Sequence, residues 1–147
     1  VTGASSGIGR ACALMLSDCG ACVVLTGRRV SALNETLRMM TEPSRHQVWT
    51  WDVCNAEEVS ALVGAAGKLD GLVHAAGIAP MCPVGFIDAE HVSSVMETNY
   101  LSFLELMKHY SKVKNRGPHL SVVAISSVSS EEISSKNFMT RIFGEAE

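Results

Sequence analysis

The sequence predicts an α/β domain with a doubly wound parallel sheet. Short apolar runs alternate along the chain with segments whose apolar residues recur at helical spacing. Strands that alternate with helices in this way pair in parallel through crossover connections, and right-handed crossovers place helices on both faces of an open sheet. A length of 147 residues and a hydrophobic content of 47% fit a single globular domain spanning 1–147.

Local signals place the elements in order. The first helix has Ile8, Ala11 and Leu14 on one face, and Asn55 is a capping residue with acids in the turn that follows. The run of residues before Val1 should hold the first strand, so we expect the start of the domain to lie upstream. The predicted elements are helix 8–18, strand 21–25, helix 32–40, strand 46–53, helix 55–69, strand 69–77, helix 89–114 and strand 119–125.

Composition excludes several classes of function. A net charge of -3 gives no basic excess for nucleic acid, and no apolar run reaches the length of a membrane span. No signal peptide is visible. An odd count of five cysteines indicates a reducing compartment, so a cytoplasmic location is expected. The pair Cys19 and Cys22 has no second ligand pair after it, and no metal site is predicted.

A glycine-rich turn opens the chain with glycines at 3, 7 and 9. A phosphate group approaches a backbone closely where no Cβ blocks it, and the following helix offers unpaired N–H groups and a positive dipole end. A tight turn that binds nothing is the alternative. The residues predicted to hold a phosphate are Gly3, Ser5, Ser6, Gly7, Ile8 and Gly9.

Several motifs together resemble one family. The turn "TGASSGIG" is followed in order by "WDV" (51–53), "HAAG" (74–77), "ETNYLS" (97–102) and "VVAISS" (122–127). This sequence resembles the classical short-chain dehydrogenase/reductase family over roughly residues 1–130, which implies a Rossmann-like fold. The segment "AAGIAP" looks most like 3-oxoacyl-(acyl carrier protein) reductases. His74 and Ala75 replace the two asparagines of the family's Asn-Asn-Ala-Gly motif.

The resemblance also implies site residues. In the family, the Asp-Val pair contacts the adenine, and the Ala-Gly after the fourth strand lies beside the cofactor. The active-site Asn holds a water, and the Ser orients the substrate carbonyl. Carried over motif by motif, Asp52, Val53, Ala76 and Gly77 bind cofactor, and Asn99 and Ser127 are catalytic.

The end of the second strand, "TGRR", bears on the choice of cofactor. Enzymes that use NAD usually have an acid there to accept from the ribose hydroxyls. Gly27 occupies that position here, and the guanidinium of Arg28 can pair with a 2′-phosphate. NADP(H) is therefore expected, with NAD as the alternative. Arg28 and Arg29 as solvated loop charges is the other interpretation.

The family's proton donor is not where the resemblance implies it. A Tyr and a Lys four residues later should follow Ser127, but Thr140 and Gly144 stand at those positions. The pair Tyr110–Lys114 precedes the Ser strand and is interpreted as part of an amphipathic surface.

The tail "MTRIFGEAE" (139–147) resembles a family segment that normally comes much later, so a chain discontinuity near 130–131 is suspected. A deleted or mis-spliced variant and a natural short chain with a serine-rich linker are the alternatives.

Two hypotheses of function follow. The first is an NADP(H)-dependent oxidoreductase that transfers a hydride between nicotinamide and a carbonyl or alcohol, with a 3-oxoacyl thioester among the candidates. The second is a non-catalytic dinucleotide-binding or sensor protein without the Tyr/Lys pair. The glycine spacing, Asn99 and Ser127 argue against a methyltransferase. The resemblance further implies a homodimer or homotetramer formed through the Asn99 helix.

Overall fold

A single parallel sheet organises the part of the chain that the structure describes. The computed structural model describes residues 1–126. Two pairs of strands are parallel, β1 with β2 and β3 with β4. The strands are β1 (Val24–Gly27), β2 (Gln47–Thr50), β3 (Leu69–His74) and β4 (Arg116–Ala124).

Thr2 joins the two pairs into one sheet. It forms parallel bridges with Thr26 of β1 and His74 of β3, and its N–H donates to Val73 O at 2.9 Å. The order across the sheet is therefore β2, β1, Thr2, β3, β4. The strand order reverses beside Thr2, and this confirms the predicted doubly wound α/β architecture.

Helices connect the strands. The side chain of Asn55 caps α3 as predicted, because its Oδ1 accepts from the N–H groups of Glu57 and Glu58 at 3.1 and 3.3 Å. Short 3₁₀ turns lie at Pro43–Arg45, Val84–Phe86 and Val113–Asn115. The helices are α1 (Gly7–Asp18), α2 (Val30–Met39), α3 (Ala56–Ala66), α4 (Ala89–Met96) and α5 (Ser102–Tyr110).

The structure differs from the prediction of one helix over 89–114. A π-helical turn at Glu97–Leu101 separates α4 from α5, and α5 ends at Tyr110. Such turns usually mark a place where tertiary contacts override regular helix geometry, often at functional sites. In this chain the turn carries Asn99.

Two apolar clusters hold the helices to the sheet. Leu25 and Leu33 lie at the centre of the cluster formed with α1 and α2, and Val59, Leu106 and Tyr110 belong to the cluster formed with α3 and α5. Among residues 1–126, the structure shows no helix that is both long and apolar enough to cross a membrane.

Candidate functional site

Close backbone contacts shape the glycine-rich turn. Gly3 has φ +66°, and a Cβ there would lie 2.6 Å from the carbonyl oxygen of Ala75. A Cβ at Gly9 would overlap the carbonyl oxygen of Gly3. Glycine at both positions therefore lets the turn lie directly against α1 on one side and against the end of β3 on the other.

The N-terminus of α1 is open to an anion. Ser6, at the N-cap, has extended backbone angles, and its side chain makes no capping hydrogen bond. The first turn of α1 contains no acidic residue. Unpaired N–H groups and the positive end of the helix dipole therefore face the turn, which suits the pyrophosphate of a dinucleotide.

A cleft of about 380 Å³ lies at the carboxyl ends of the strands. Every residue that the sequence predicts to bind the cofactor lines it: Gly3, Ser5, Ser6, Gly7, Ile8, Gly9, Arg28, Asp52, Val53, Ala76 and Gly77. The structure thus brings together residues from four separate motifs. Their role in binding is a proposal. Further lining residues that the sequence reasoning did not select are Gly27, Arg29, Trp51, Ala75, Ile78 and Thr98.

Three arginines lie near the glycine-rich turn, and they differ in their hydrogen-bond partners. Arg28 is exposed in the cleft. The guanidinium of Arg29 donates to the hydroxyls of Ser6 at 3.4 Å and Ser5 at 3.5 Å. Arg10 pairs with Glu35 at 3.1 Å and also donates to the Ser5 carbonyl at 2.8 Å. Arg29 is the second arginine of "TGRR", and its charge next to Arg28 was the sequence signal that could have marked it as a lining residue.

The turn after β2 is held by its own polar groups. Asp52 Oδ1 accepts from the N–H of Cys54 at 3.0 Å, and the Asp52 N–H donates to Glu58 at the start of α3 at 2.8 Å. Val53 is buried in the α3/α5 cluster while also lining the cleft. These contacts fix the Asp52 carboxylate at the rim of the cleft.

Asn99 clamps the loop that follows β3. Its Oδ1 accepts from the Ile78 N–H at 2.8 Å, and its Nδ2 donates to the Ile78 carbonyl at 2.9 Å. A Cβ at Gly77 would lie 3.4 Å from the same Oδ1. Asn99 therefore does not line the cleft itself but holds Ile78, which does. Its side chain positions the loop that carries Ala76 and Gly77.

Comparison with known proteins decides the family. The short chain dehydrogenase family model matches residues 1–139. The chain belongs to the short-chain dehydrogenase family.

Similar proteins in this family are longer than the present chain. Dehydrogenase/reductase SDR family member 7B of Mus musculus is 34% identical over 139 residues, which cover 87% of this chain and 42% of the mouse protein. Cis-4-hydroxycyclohexanecarboxylate dehydrogenase of Sinomonas cyclohexanicum is 32% identical, with 87% and 53% covered. A short-chain dehydrogenase structure from Shigella flexneri superposes with a TM-score of 0.83 at 26% identity, over 97% of this chain and 59% of that one. The chain spans about half the length of these relatives.

The surroundings of Tyr110 differ from those that the family's proton donor needs. Tyr110 is buried in the α3/α5 cluster, so the prediction that it forms an amphipathic surface is wrong. Burial raises the pKa of Tyr110 to about 12, whereas a proton donor at neutral pH needs a lowered pKa. Its hydroxyl has no hydrogen-bond partner among residues 1–126.

Other predictions for this family member fall beyond the structure. Ser127 lies outside the described residues, and so does the suspected discontinuity near 130–131. Both stay predictions.

Proposed function

We propose that this protein is an NADP(H)-dependent oxidoreductase that transfers a hydride between nicotinamide and a carbonyl or alcohol substrate. The observation that carries the proposal is the cleft in which all the predicted cofactor residues meet. It lies at the carboxyl ends of the parallel strands, beside the point where the strand order reverses. Open α/β sheets bind their ligands at that place.

The proposal assigns the lining residues to successive parts of a dinucleotide. Under the proposal, the open N-terminus of α1 and the turn 3–9 hold the pyrophosphate. Asp52 and Val53 hold the adenine, and Ala76 and Gly77 lie at the nicotinamide end. The bound nicotinamide supplies or accepts the hydride. The loop clamped by Asn99 shapes the wall behind it.

Preference for NADP(H) is proposed from the end of β1. Gly27, at the position of the usual acid, leaves no carboxylate to repel a 2′-phosphate, and Arg28 is free to pair with one. We expect Arg28→Ala to weaken NADP⁺ binding roughly 10- to 100-fold, the cost of losing hydrogen bonds between charged groups. NAD⁺ affinity should change by less than about threefold. Isothermal titration calorimetry with both cofactors measures the difference.

A matched control is Arg45→Ala, an exposed arginine outside the lining of the cleft. It should leave both affinities unchanged. Equal loss of NADP⁺ and NAD⁺ affinity in Arg28→Ala would mean that Arg28 does not read the 2′-phosphate.

Two classes of substrate are proposed. The name of the Sinomonas cyclohexanicum relative denotes a dehydrogenase of a hydroxylated ring carboxylate, so a secondary alcohol or its ketone is a substrate class to assay here. A 3-oxoacyl thioester is the other candidate, proposed from the "AAGIAP" resemblance. In both cases the Ser127 hydroxyl is proposed to orient the carbonyl oxygen.

A non-catalytic dinucleotide-binding protein is the second candidate. The observation that favours it is the sequence after Tyr110, which contains no tyrosine and has Thr140 and Gly144 at the positions implied for the Tyr/Lys pair. Reductase and binding protein are distinguished by following NADPH oxidation with a panel of ketones and 3-oxoacyl thioesters. Binding without turnover supports the second candidate. An intact mass well above 15.7 kDa would support the suspected discontinuity and, with it, the oxidoreductase.

Assembly and location are further parts of the proposal. We propose a homodimer or homotetramer through α4 and α5, because Val92, Met96 and Leu104 there are each more than two-fifths exposed. Sedimentation velocity tests this. A cytoplasmic location is supported by five cysteines that are all free. Fractionation of the source cells tests the location.

A further inference from the structure

His74 is a buried polar residue at the junction of three segments. Its ring is 3% exposed and packs against the ring of Phe103 with centroids 5.4 Å apart. Nδ1 lies 3.1 Å from Thr2 Oγ1, and Nε2 lies 3.3 Å from Ser102 Oγ. Thr2 precedes the glycine-rich turn, and Ser102 begins α5 directly after the π-helical turn. The imidazole therefore bridges the two segments that flank the loop 75–78.

The direction of each hydrogen bond follows from counting donors. Thr2 Oγ1 accepts from the N–H groups of Ala75 and Ala76, both at 3.1 Å. Its own hydrogen is left for His74, so Nδ1 is an acceptor and the ring proton sits on Nε2. That proton is donated to Ser102 Oγ, whose hydrogen in turn goes to the Thr98 carbonyl at 2.6 Å. The hydrogen bonds therefore run in one direction, from Thr2 through His74 and Ser102 to Thr98. They require the Nε2–H tautomer of His74.

We infer that His74, as the neutral Nε2–H tautomer, is a positioning residue that ties the glycine-rich turn to the π-helical turn carrying Thr98 and Asn99. The inference rests on the proposed function, because the glycine-rich turn borders the proposed pyrophosphate site and the π-helical turn borders the loop at the proposed nicotinamide end. The bridge sets the spacing between Gly3 on one side of the loop 75–78 and Asn99 on the other.

To reach both Thr2 and Ser102, the side chain at position 74 needs two polar atoms that face in opposite directions, as the two ring nitrogens of histidine do. An asparagine, the residue implied by the family resemblance, has an amide at about the place of Nδ1 and reaches Thr2, but it is too short to reach Ser102 as well. Burial also lowers the pKa of His74 to about 4, so the ring is neutral at pH 7 and Nδ1 is free to accept. The hydrogen bonds of the ring and its burial therefore both require the neutral imidazole.

The tautomer is tested first, on the full chain. An imidazole ¹⁵N–¹H correlation spectrum at neutral pH should show His74 with a bare Nδ1 and a protonated Nε2. Neutral histidine also favours the Nε2–H form in water, so the bridge requires this result and the discriminating outcome is the other tautomer. Finding the Nδ1–H tautomer or the imidazolium would overturn the inference, whatever the protein binds.

The positioning role is tested with halves of the cofactor. Ser102→Ala and His74→Asn each break the bridge at its α5 end. We expect both to weaken NADP⁺ binding about five- to tenfold, because the nicotinamide end loses its fixed spacing. Binding of 2′,5′-ADP, the adenosine half alone, should stay within about twofold. Calorimetric titration of both ligands into each variant gives the comparison.

Ser94→Ala is the matched control, because Ser94 donates to the His91 carbonyl within α4 and does not contact His74. It should bind both ligands as the unmodified protein does. Unchanged NADP⁺ affinity in both bridge variants, or an equal loss for both ligands, would overturn the inference. An unmodified protein that binds neither ligand would instead refute the proposed function. If one bridge variant fails to fold, the other supplies the same comparison.

Discussion

Gly9 has no room for a side chain. It sits inside the first turns of α1, where alanine would ordinarily be the better helix former. The carbonyl oxygen of Gly3 occupies the space that a side chain would need, and that oxygen belongs to backbone, which cannot rotate away. The helix therefore accepts a poor helix former in order to let the turn fold onto it.

We expect Gly9→Ala to lower the free energy of unfolding by about 1–3 kcal/mol, the usual cost of forcing extra atoms into a packed site. NADP⁺ binding should weaken as well, because relief of the overlap moves the Gly3 carbonyl away from its place in the turn. Urea denaturation followed by circular dichroism measures the first effect, and calorimetry measures the second.

Gly64→Ala is the control, since Gly64 lies within α3 and a Cβ there would meet nothing within 4 Å. This change should raise the free energy of unfolding by about 0.5–1 kcal/mol. Opposite signs for the two substitutions are the expected result. A stabilising Gly9→Ala would contradict the packing described for the turn.

For single residues, the sequence predicted those cleft-lining positions that belong to a local motif. The turn residues and Arg28 are read from short stretches whose glycines and charges have local causes. Trp51 and Thr98 were missed because they reach the cleft through the packing of the sheet and of the π-helical turn. No spacing rule along the chain indicates that placement.

Among the elements, the π-helical turn is tied to a distant part of the chain. Asn99 forms two hydrogen bonds with Ile78, which lies 21 residues earlier in the chain. Replacing the amide leaves the Ile78 N–H and carbonyl without their partner. We expect Asn99→Ala to lower the free energy of unfolding by about 1–3 kcal/mol. Urea denaturation gives the value.

Asn34→Ala, on a half-buried face of α2, is the comparison for that variant. Alanine has the higher helix propensity, so the control should be neutral or slightly stabilising. If both asparagine variants lose the same stability, the Ile78 clamp is not what holds the turn.

The sequence could not have revealed this break in the helix. Residues 89–114 have apolar residues at helical spacing throughout, and nothing local marks the turn. The start of β1 is a similar case, since the predicted strand 21–25 begins only at Val24. The N–H of Val23 donates to the ring of His46 at 3.1 Å, a contact across 23 residues. The capping of α3 by Asn55 was predictable because its cause is local.

For the whole molecule, the parallel order of the strands followed from the alternation of elements. The position of Thr2 between β1 and β3 makes His74 part of the sheet's centre as well as of the site. Its protonation state should therefore affect the stability of the entire fold. The side chains that it hydrogen bonds or stacks against, Thr2, Ser102 and Phe103, are uncharged. The positive charge of the Val1 ammonium adds to the effect of burial and lowers the pKa of His74 further.

The pKa of His74 is lowered by burial from 6.5 to about 4. The unfolded chain thus binds this proton at a higher pH than the folded one. The contribution of His74 to stability is present above about pH 6.5 and is lost as the pH falls towards 4. In that window the free energy of unfolding should decrease by up to about 1.4 kcal/mol per pH unit on account of this residue.

Urea denaturation at several pH values between about 7 and 4.5 measures the slope. His74→Asn, which has no group titrating in this range, should show a shallower dependence. The carboxylates give the same background in both proteins. Identical slopes would show that His74 does not titrate with the lowered pKa that its burial produces.

Trp51 gives the cleft an optical property. Of the two tryptophans in the sequence, this one lines the cleft while its side chain is nearly sealed from water. The emission of a shielded indole overlaps the near-ultraviolet absorption of a reduced nicotinamide. A reduced dinucleotide bound in the cleft would therefore quench Trp51 by energy transfer and fluoresce in its place, so that binding of the reduced cofactor is detected without a label.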